Sequence, residues 1–138
     1  MIIIDAKDLI VGRLAGYVAK QSLLGQTIAI VNAEKAVITG KKDQILAEYK
    51  RKRERGAALV GPYIIRTPDR LLKRSIRGML PYKRPRGREA YERIKCYTGI
   101  PNEFKDKELV KLDQFDVNNT NSKYVTIYQI SKFLGAKV

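Results

Sequence analysis

The chain has 138 residues, with 28 Lys and Arg against 14 Asp and Glu and a formal net charge of +14. At 44% hydrophobic and 30% charged residues it is globular rather than disordered in composition, and its length suits a single domain, 1–138, with a real core. It has no histidine and one cysteine, Cys96, which excludes an internal disulfide, a zinc site of the Cys/His kind, the usual general base and the usual proton shuttle.

Ile2 to Ile4 is a short apolar run closed by Asp5 and reads as a buried strand. Leu9, Val11, Leu14, Ala15, Val18, Ala19 and Leu23 follow at helical spacing, with Asp8 in position to cap and Gly25 just past the end. Met1–Asp5 is too short, and lacks the basic start, for a signal peptide. No apolar run approaches the roughly 18 residues of a membrane span, so the expectation is a cytosolic protein. Ile28–Val31 is a second buried strand, and Ala36–Thr39 a third extended segment stopped by Gly40. Asp43 to Arg55 reads as a helix with Ile45, Leu46 and Tyr49 inward and Lys50, Arg51, Lys52 and Arg53 over its exposed end. Residues 57–65 form a link containing Gly61-Pro62. Strand–helix–strand alternation with unbroken apolar strands predicts α/β packing around a largely parallel sheet.

From Arg66 to Lys95 the chain concentrates its charge. Between Arg51 and Lys95 stand 15 basic and 4 acidic residues, leaving 13 and 10 to the rest, so the positive excess is a patch and not a coat. Thr67 suits a cap, Pro68 the first helical position, and Asp69 the positive end of the helix dipole. Leu71, Leu72, Ser75, Ile76, Met79 and Leu80 make one apolar face, with Arg70, Lys73, Arg74 and Arg77 opposite. Asp69 is the only acid between Arg66 and Arg88. Like charges at helical spacing repel by a few tenths of a kcal/mol per pair, roughly, and a phosphate-rich partner would relieve that. A solvated basic face is the alternative for the helix alone. The loop that follows favours a partner, because Lys83, Arg84, Arg86 and Arg88 continue the charge through Pro81, Pro85 and Gly87. Proline stiffens such a loop, and glycine admits close approach of a ligand. With so few acids near, residues 81–88 are expected to be partly disordered in the free protein. Such a patch points first to nucleic acid and second to an anionic membrane surface.

The remainder reads as an elaboration of the same domain. Glu89–Arg93 is a short helix, Ile94–Tyr97 an extended run, Gly99–Pro101 a turn, and Lys105–Lys107 polar loop. Leu109–Leu112 is a last strand and Asn118–Asn121 a polar loop. Thr126 caps a closing helix through Leu134, with Gly135 past its end.

Signals for chemistry are weak. Val11-Gly-Arg-Leu-Ala-Gly16 lacks the Gly-x-Gly-x-x-Gly spacing, and Thr39-Gly-Lys-Lys42 lacks the upstream glycine and the hydroxyl residue of a phosphate-binding loop. Lys41 and Lys42 lie near a helix N-terminus, where either phosphate contact or plain solvation fits. The carboxylate pairs Asp5/Asp8 and Asp113/Asp116 read as caps and turns. Cys96, in the run Ile94–Tyr97, reads as a small buried thiol. Tyr82 and Tyr91 are interleaved with the arginines, and Tyr82 suits either stacking on a base or ribose or anchoring the loop to protein.

Several motifs, in order and at matching intervals, resemble the large-subunit ribosomal protein family L-thirteen. They are Asp5-Ala6, Val11-Gly-Arg-Leu-Ala15, Val31-Asn-Ala-Glu34, Ile38-Thr-Gly40, Pro68-Asp-Arg70, and above all Arg77-Gly-Met-Leu-Pro81 with Arg86-Gly87. The final third, with Pro101-Asn-Glu-Phe104, is similar to the archaeal branch. The resemblance implies a three-layer α/β/α domain with a mainly parallel four-stranded sheet, carrying the basic helix and loop as an extension. It implies a structural constituent of the large ribosomal subunit that binds folded large-subunit ribosomal RNA beside neighbouring ribosomal proteins and acts early in assembly. It implies no catalytic residue, cofactor, metal, membrane or small-molecule substrate. Carried over by position, the RNA-facing residues are Arg74, Arg77, Gly78, Lys83, Arg84, Arg86 and Arg88, and after them Lys41, Lys42 and Arg13. A small enzyme acting on a nucleotide, and a DNA-packaging protein, are the rival classes. Charge alone leaves RNA and DNA hard to separate.

Overall fold

The alternating apolar runs and helical stripes resolve, in a computed structural model that describes residues 1–57 and 59–137, into five strands and five α-helices. In chain order these are β1 (Ile2–Asp5), α1 (Val11–Leu23), β2 (Ile28–Val31), β3 (Val37–Thr39), α2 (Lys42–Arg53), α3 (Pro68–Arg77), α4 (Pro85–Glu92), β4 (Ile94–Cys96), β5 (Tyr124–Thr126) and α5 (Ile127–Phe133), with short 3-10 turns between them.

β2 lies at the centre of a parallel sheet. β1 pairs along one side, Ile2 opposite Ile28 and Asp5 opposite Val31, and β4 along the other, Ile28 opposite Ile94 and Ile30 opposite Cys96. Of the expected fourth parallel strand only a trace is present. Val110 makes a single parallel bridge to Ile4, donating its N–H to the Ile3 carbonyl at 2.7 Å and accepting from the Asp5 N–H at 3.1 Å. The predicted strand Leu109–Leu112 goes no further than this bridge: Val110 and Lys111 are both exposed, and a 3-10 turn begins at Asp113. β3 does not join this sheet either. It pairs antiparallel with β5, Val37 opposite Thr126 and Thr39 opposite Tyr124. β5 falls between the polar loop Asn118–Asn121 and the helix beyond the Thr126 cap, where the sequence reading places no strand.

Side chains alternate across the strands. Ile4, Ile28, Ile30 and Ile94 therefore share one face, and all are essentially sealed from water. Leu14 and Val18 of α1, Leu72 and Ile76 of α3, Ala90 of α4 and Ile130 of α5 pack there in one cluster, and α2 adds Ile45, Leu46 and Tyr49 at its edge. Each fully buried aliphatic side chain is worth roughly 1.5–3 kcal/mol of transfer free energy. The opposite face is smaller: Ile3, Ala29 and Val31 are covered by Phe104, Tyr97 and Leu109. The third layer of the expected sandwich is thus reduced to the 3-10 turn Asn102–Phe104 and its flanks.

Local details follow the sequence with one departure. Thr126 caps α5 with a reciprocal capping box, its hydroxyl accepting from the Gln129 N–H while Gln129 accepts from the Thr126 N–H, both at 3.2 Å. Asp8 does not cap α1. It takes a left-handed conformation at φ +61°, and Ile10 precedes the helix instead. Asp5 ties the strand ends by accepting from Asn32 Nδ2 at 2.9 Å and from the Lys7 N–H at 3.0 Å. Asp116 accepts from the Asn118 N–H at 2.8 Å, a local turn bond. These carboxylates shape turns, as expected.

Candidate nucleic-acid interface

α3 is the frame of the basic surface. Its apolar stripe is embedded: Leu71, Leu72 and Ile76 are buried, and Leu80 follows in the turn beyond. Pro68 occupies the first turn as expected, whereas the Thr67 side chain makes no capping bond. The helix ends at Arg77, so Met79 leaves the predicted stripe. It is 48% exposed and turns its Sδ toward Gly16 of α1.

With the stripe anchored, the cations are left outside. Arg70 and Arg74 are exposed, while Lys73 and Arg77 lean on aromatic rings. The Lys73 ammonium stands 4.5 Å from the Tyr91 ring centre, and the Arg77 guanidinium 4.7 Å from that of Tyr82. Both fall within cation–π range, which holds each charge at a set place without neutralising it. Tyr82 thereby serves as an anchor for Arg77, and one of its faces is already occupied.

The loop expected at 81–88 is half helix. Pro85 starts α4 rather than stiffening a coil, as its fixed φ and missing N–H favour at a first helical position. Lys83 and Arg84 stand in the turn before it, and Arg86 and Arg88 in its first turn, all exposed. Gly87 has a different role from the expected one. It is buried, and a Cβ there would lie 2.0 Å from the Pro81 carbonyl oxygen. The close approach that requires glycine is thus to the protein's own chain, and it locks α4 against the turn that leaves α3. Gly78, by contrast, is exposed in an ordinary helical conformation at φ −62°, and a Cβ there would meet only the Ser75 carbonyl oxygen, at 3.6 Å.

Two hollows extend this surface. One is lined by Arg86, Met79, Gly16 and Lys20 of α1, and Leu24 just past its end. Arg13, one turn before Gly16, lies exposed on α1. The other lies between the end of α2, the link and α3, where Lys52 and Arg55 face Arg74 and Gly78. Lys41 and Lys42 begin α2, about 15 Å from Lys52 at the helical rise, and the structure does not bring them to these hollows. One hollow thus brings Arg74 and Gly78 together with Lys52 and Arg55, the other brings Arg86 together with Lys20, and Arg77, Lys83, Arg84 and Arg88 stand along α3, the turn after it and α4. Lys52 and Arg55 lie within the charge excess visible in the sequence between Arg51 and Lys95, whereas Lys20 lies outside it. The signal that would have found Lys52 is the unbroken cationic run Lys50–Arg53 at the end of α2, with Arg55 following just past Glu54.

Very little of this charge is compensated. Among the described residues one ion pair forms, Arg51 to Glu48 at 2.6 Å. The hydrogen bond from Arg51 holds the Glu48 carboxyl below its usual range. Cys96 points away from this chemistry. Burial pushes its thiol up to about 12, outweighing the nearby Lys73 ammonium, so it is a poor nucleophile at neutral pH. No group of three or more His, Cys, Asp or Glu gathers as a metal site among the described residues. No helix among them is long and apolar enough to cross a membrane.

Comparison with known proteins gives a consistent picture. The family model described as Ribosomal protein L13 matches residues 1–103. The chain is 52% identical over 139 residues to a protein of Methanosarcina barkeri named Large ribosomal subunit protein uL13, covering 99% of each. It is 51% identical over 138 residues to the protein of the same name from Methanococcoides burtonii, again covering 99% of each. To that from Archaeoglobus fulgidus it is 44% identical over 135 residues, covering 96% of this chain and 86% of that one.

Proposed function

This chain belongs to the ribosomal protein L13 family, and from that premise we propose that it acts, as one domain, by binding folded large-subunit ribosomal RNA through the α3–α4 surface. The family is structural rather than catalytic, and no enzymatic activity is indicated. The archaeal relatives match nearly the whole chain, including the last third beyond residue 103. On this reading the protein resides in the large ribosomal subunit in the cytoplasm, with RNA and neighbouring ribosomal proteins as its partners.

The observation that carries the RNA-binding reading is the lack of internal compensation. A chain with 28 basic residues forms one ion pair among the described residues, and that pair is on α2. The cations of α3 and α4 stand on a buried apolar frame with their charges free for phosphate. Each neutralised phosphate releases counter-ion, worth roughly 0.7–0.9 log units of affinity per log unit of salt. Arginine adds bidentate phosphate contacts and stacking. Recognition is mainly of folded shape, since an RNA duplex hides its base edges in a deep, narrow groove. Action early in assembly follows from the same physics, because strands that repel each other must be neutralised before they pack. Arg13, Gly78, Lys41 and Lys42 contribute at the margins.

The test is the triple substitution of Arg77, Arg84 and Arg86 by Ala. The variant is expected to keep its circular dichroism and melting curve, and to compete roughly tenfold or more worse than the unmodified protein for incorporation into reconstituted large subunits. Undiminished incorporation would overturn the assignment of the surface.

A further inference from the structure

The hollow between α2, the link and α3 differs from the rest of the basic surface in having an apolar floor. Tyr49, Ile64, Ile65 and Leu71 form that floor, and the cationic rim holds no carboxylate among its described lining residues. Its volume of about 380 Å³ is at the small end of ligand pockets and suits a single nucleotide.

Tyr63 stands at its mouth, 71% exposed. Gly61 lies against one side of the ring: a Cβ at Gly61 would be 3.3 Å from Tyr63 Cδ2 and Cε2. One edge of the ring therefore lies close to Gly61, and most of the side chain faces outward. A large aromatic left in water beside cations that form no ion pair among the described residues, Lys52 resting 5.1 Å from the Tyr49 ring centre, is a stacking platform of the kind that single-stranded nucleic acid uses. A paired base cannot reach it, because its faces are already stacked within the helix.

We propose that this cleft receives one unpaired nucleotide of the RNA, its base stacked on Tyr63 over the apolar floor and its phosphate among Lys52, Arg55 and Arg74. The proposal rests on the RNA-binding reading above and names a site within it that reads single-stranded structure. Both Tyr63→Leu and Tyr63→Phe change an exposed ring, and their melting curves should match that of the unmodified protein. Affinities are measured at one moderate salt concentration for a short single-stranded oligoadenylate and for an RNA duplex of equal length. Tyr63→Leu is expected to lose roughly tenfold or more on the single strand and nothing on the duplex, and Tyr63→Phe to retain both. A single-strand affinity unaffected by Tyr63→Leu, or an equal loss on the duplex, overturns the cleft assignment and leaves the wider RNA-binding reading standing. Failure of the unmodified protein to bind either RNA overturns both. In intact large subunits, a photo-crosslinking amino acid in place of Tyr63 should label ribosomal RNA, and labelling of a neighbouring protein alone would overturn the proposal.

Discussion

Helix α2 ends in four consecutive cations, Lys50–Arg53, and α3 spreads Arg70, Lys73, Arg74 and Arg77 along its length. Of the two, only α3 buries side chains completely. Leu72 and Ile76 are sealed in the main core, whereas α2 has no buried residue and touches that core with the half-buried Ile45, Leu46 and Tyr49. Two helices of similar charge are therefore held with very different firmness. A basic helix becomes a shaped surface only when its opposite face is anchored, because uncompensated cations must be kept together against their own repulsion.

The largest expected effect compares the two anchors directly. Ile76→Ala should cost about 2–5 kcal/mol of stability in urea unfolding, as large-to-small changes in sealed cores do. Ile45→Ala, at a half-buried site, should cost about 1 kcal/mol. Equal losses would break the contrast between the helices. Next is Gly87→Ala. Its new methyl group would meet the Pro81 carbonyl at 2.0 Å, so the turn or α4 must shift, at about 1–3 kcal/mol. An unchanged unfolding midpoint would mean that α4 is not locked to α3, and that Lys83, Arg84, Arg86 and Arg88 are not fixed relative to Arg77.

The smallest effect concerns the one compensated cation. Glu48→Gln should leave the melting temperature unchanged at neutral pH, because both partners are exposed and screened by water. Arg51 lowers the Glu48 pKa, so whatever the pair contributes is present above the ordinary carboxylate pKa and fades as pH falls through the acid range. A clear loss of stability on that substitution would show α2 to depend on its ion pair more than on its apolar edge.

The sequence is most readable where periodicity is strong and burial deep. The stripe Leu71, Leu72, Ile76 predicts α3 and its face, and the unbroken Ile28–Val31 predicts a strand covered on both sides. Thr126 announces the cap of α5, and the reciprocal bond from Gln129 appears only in the structure. Short elements are harder. β5 and the bridge at Val110 involve three residues or fewer in register, too few for a period-two signal. Pro85 reads as a loop stiffener, and only the structure shows it starting α4, with Gly87 packed on Pro81. That contact could not be foreseen, because a buried glycine and a ligand-facing glycine look identical in one dimension. Most of the basic surface is legible as charge density. The cleft is not, since it is assembled from α2, the link and α3, whose shared hollow appears only after packing.

The parallel pairing of β2 with β4 has a further consequence. Ile30 lies opposite Cys96, so the central strand completes its pairing only after the whole of α2, the link, α3 and α4 has been threaded between the two. Closing so long a loop is entropically slow, and here the loop also contains most of the chain's positive excess. During synthesis the nascent chain must therefore concentrate its most self-repelling segment before its sheet is finished. Counter-ions, or a polyanion already at hand, belong to the conditions under which this chain reaches its own native topology.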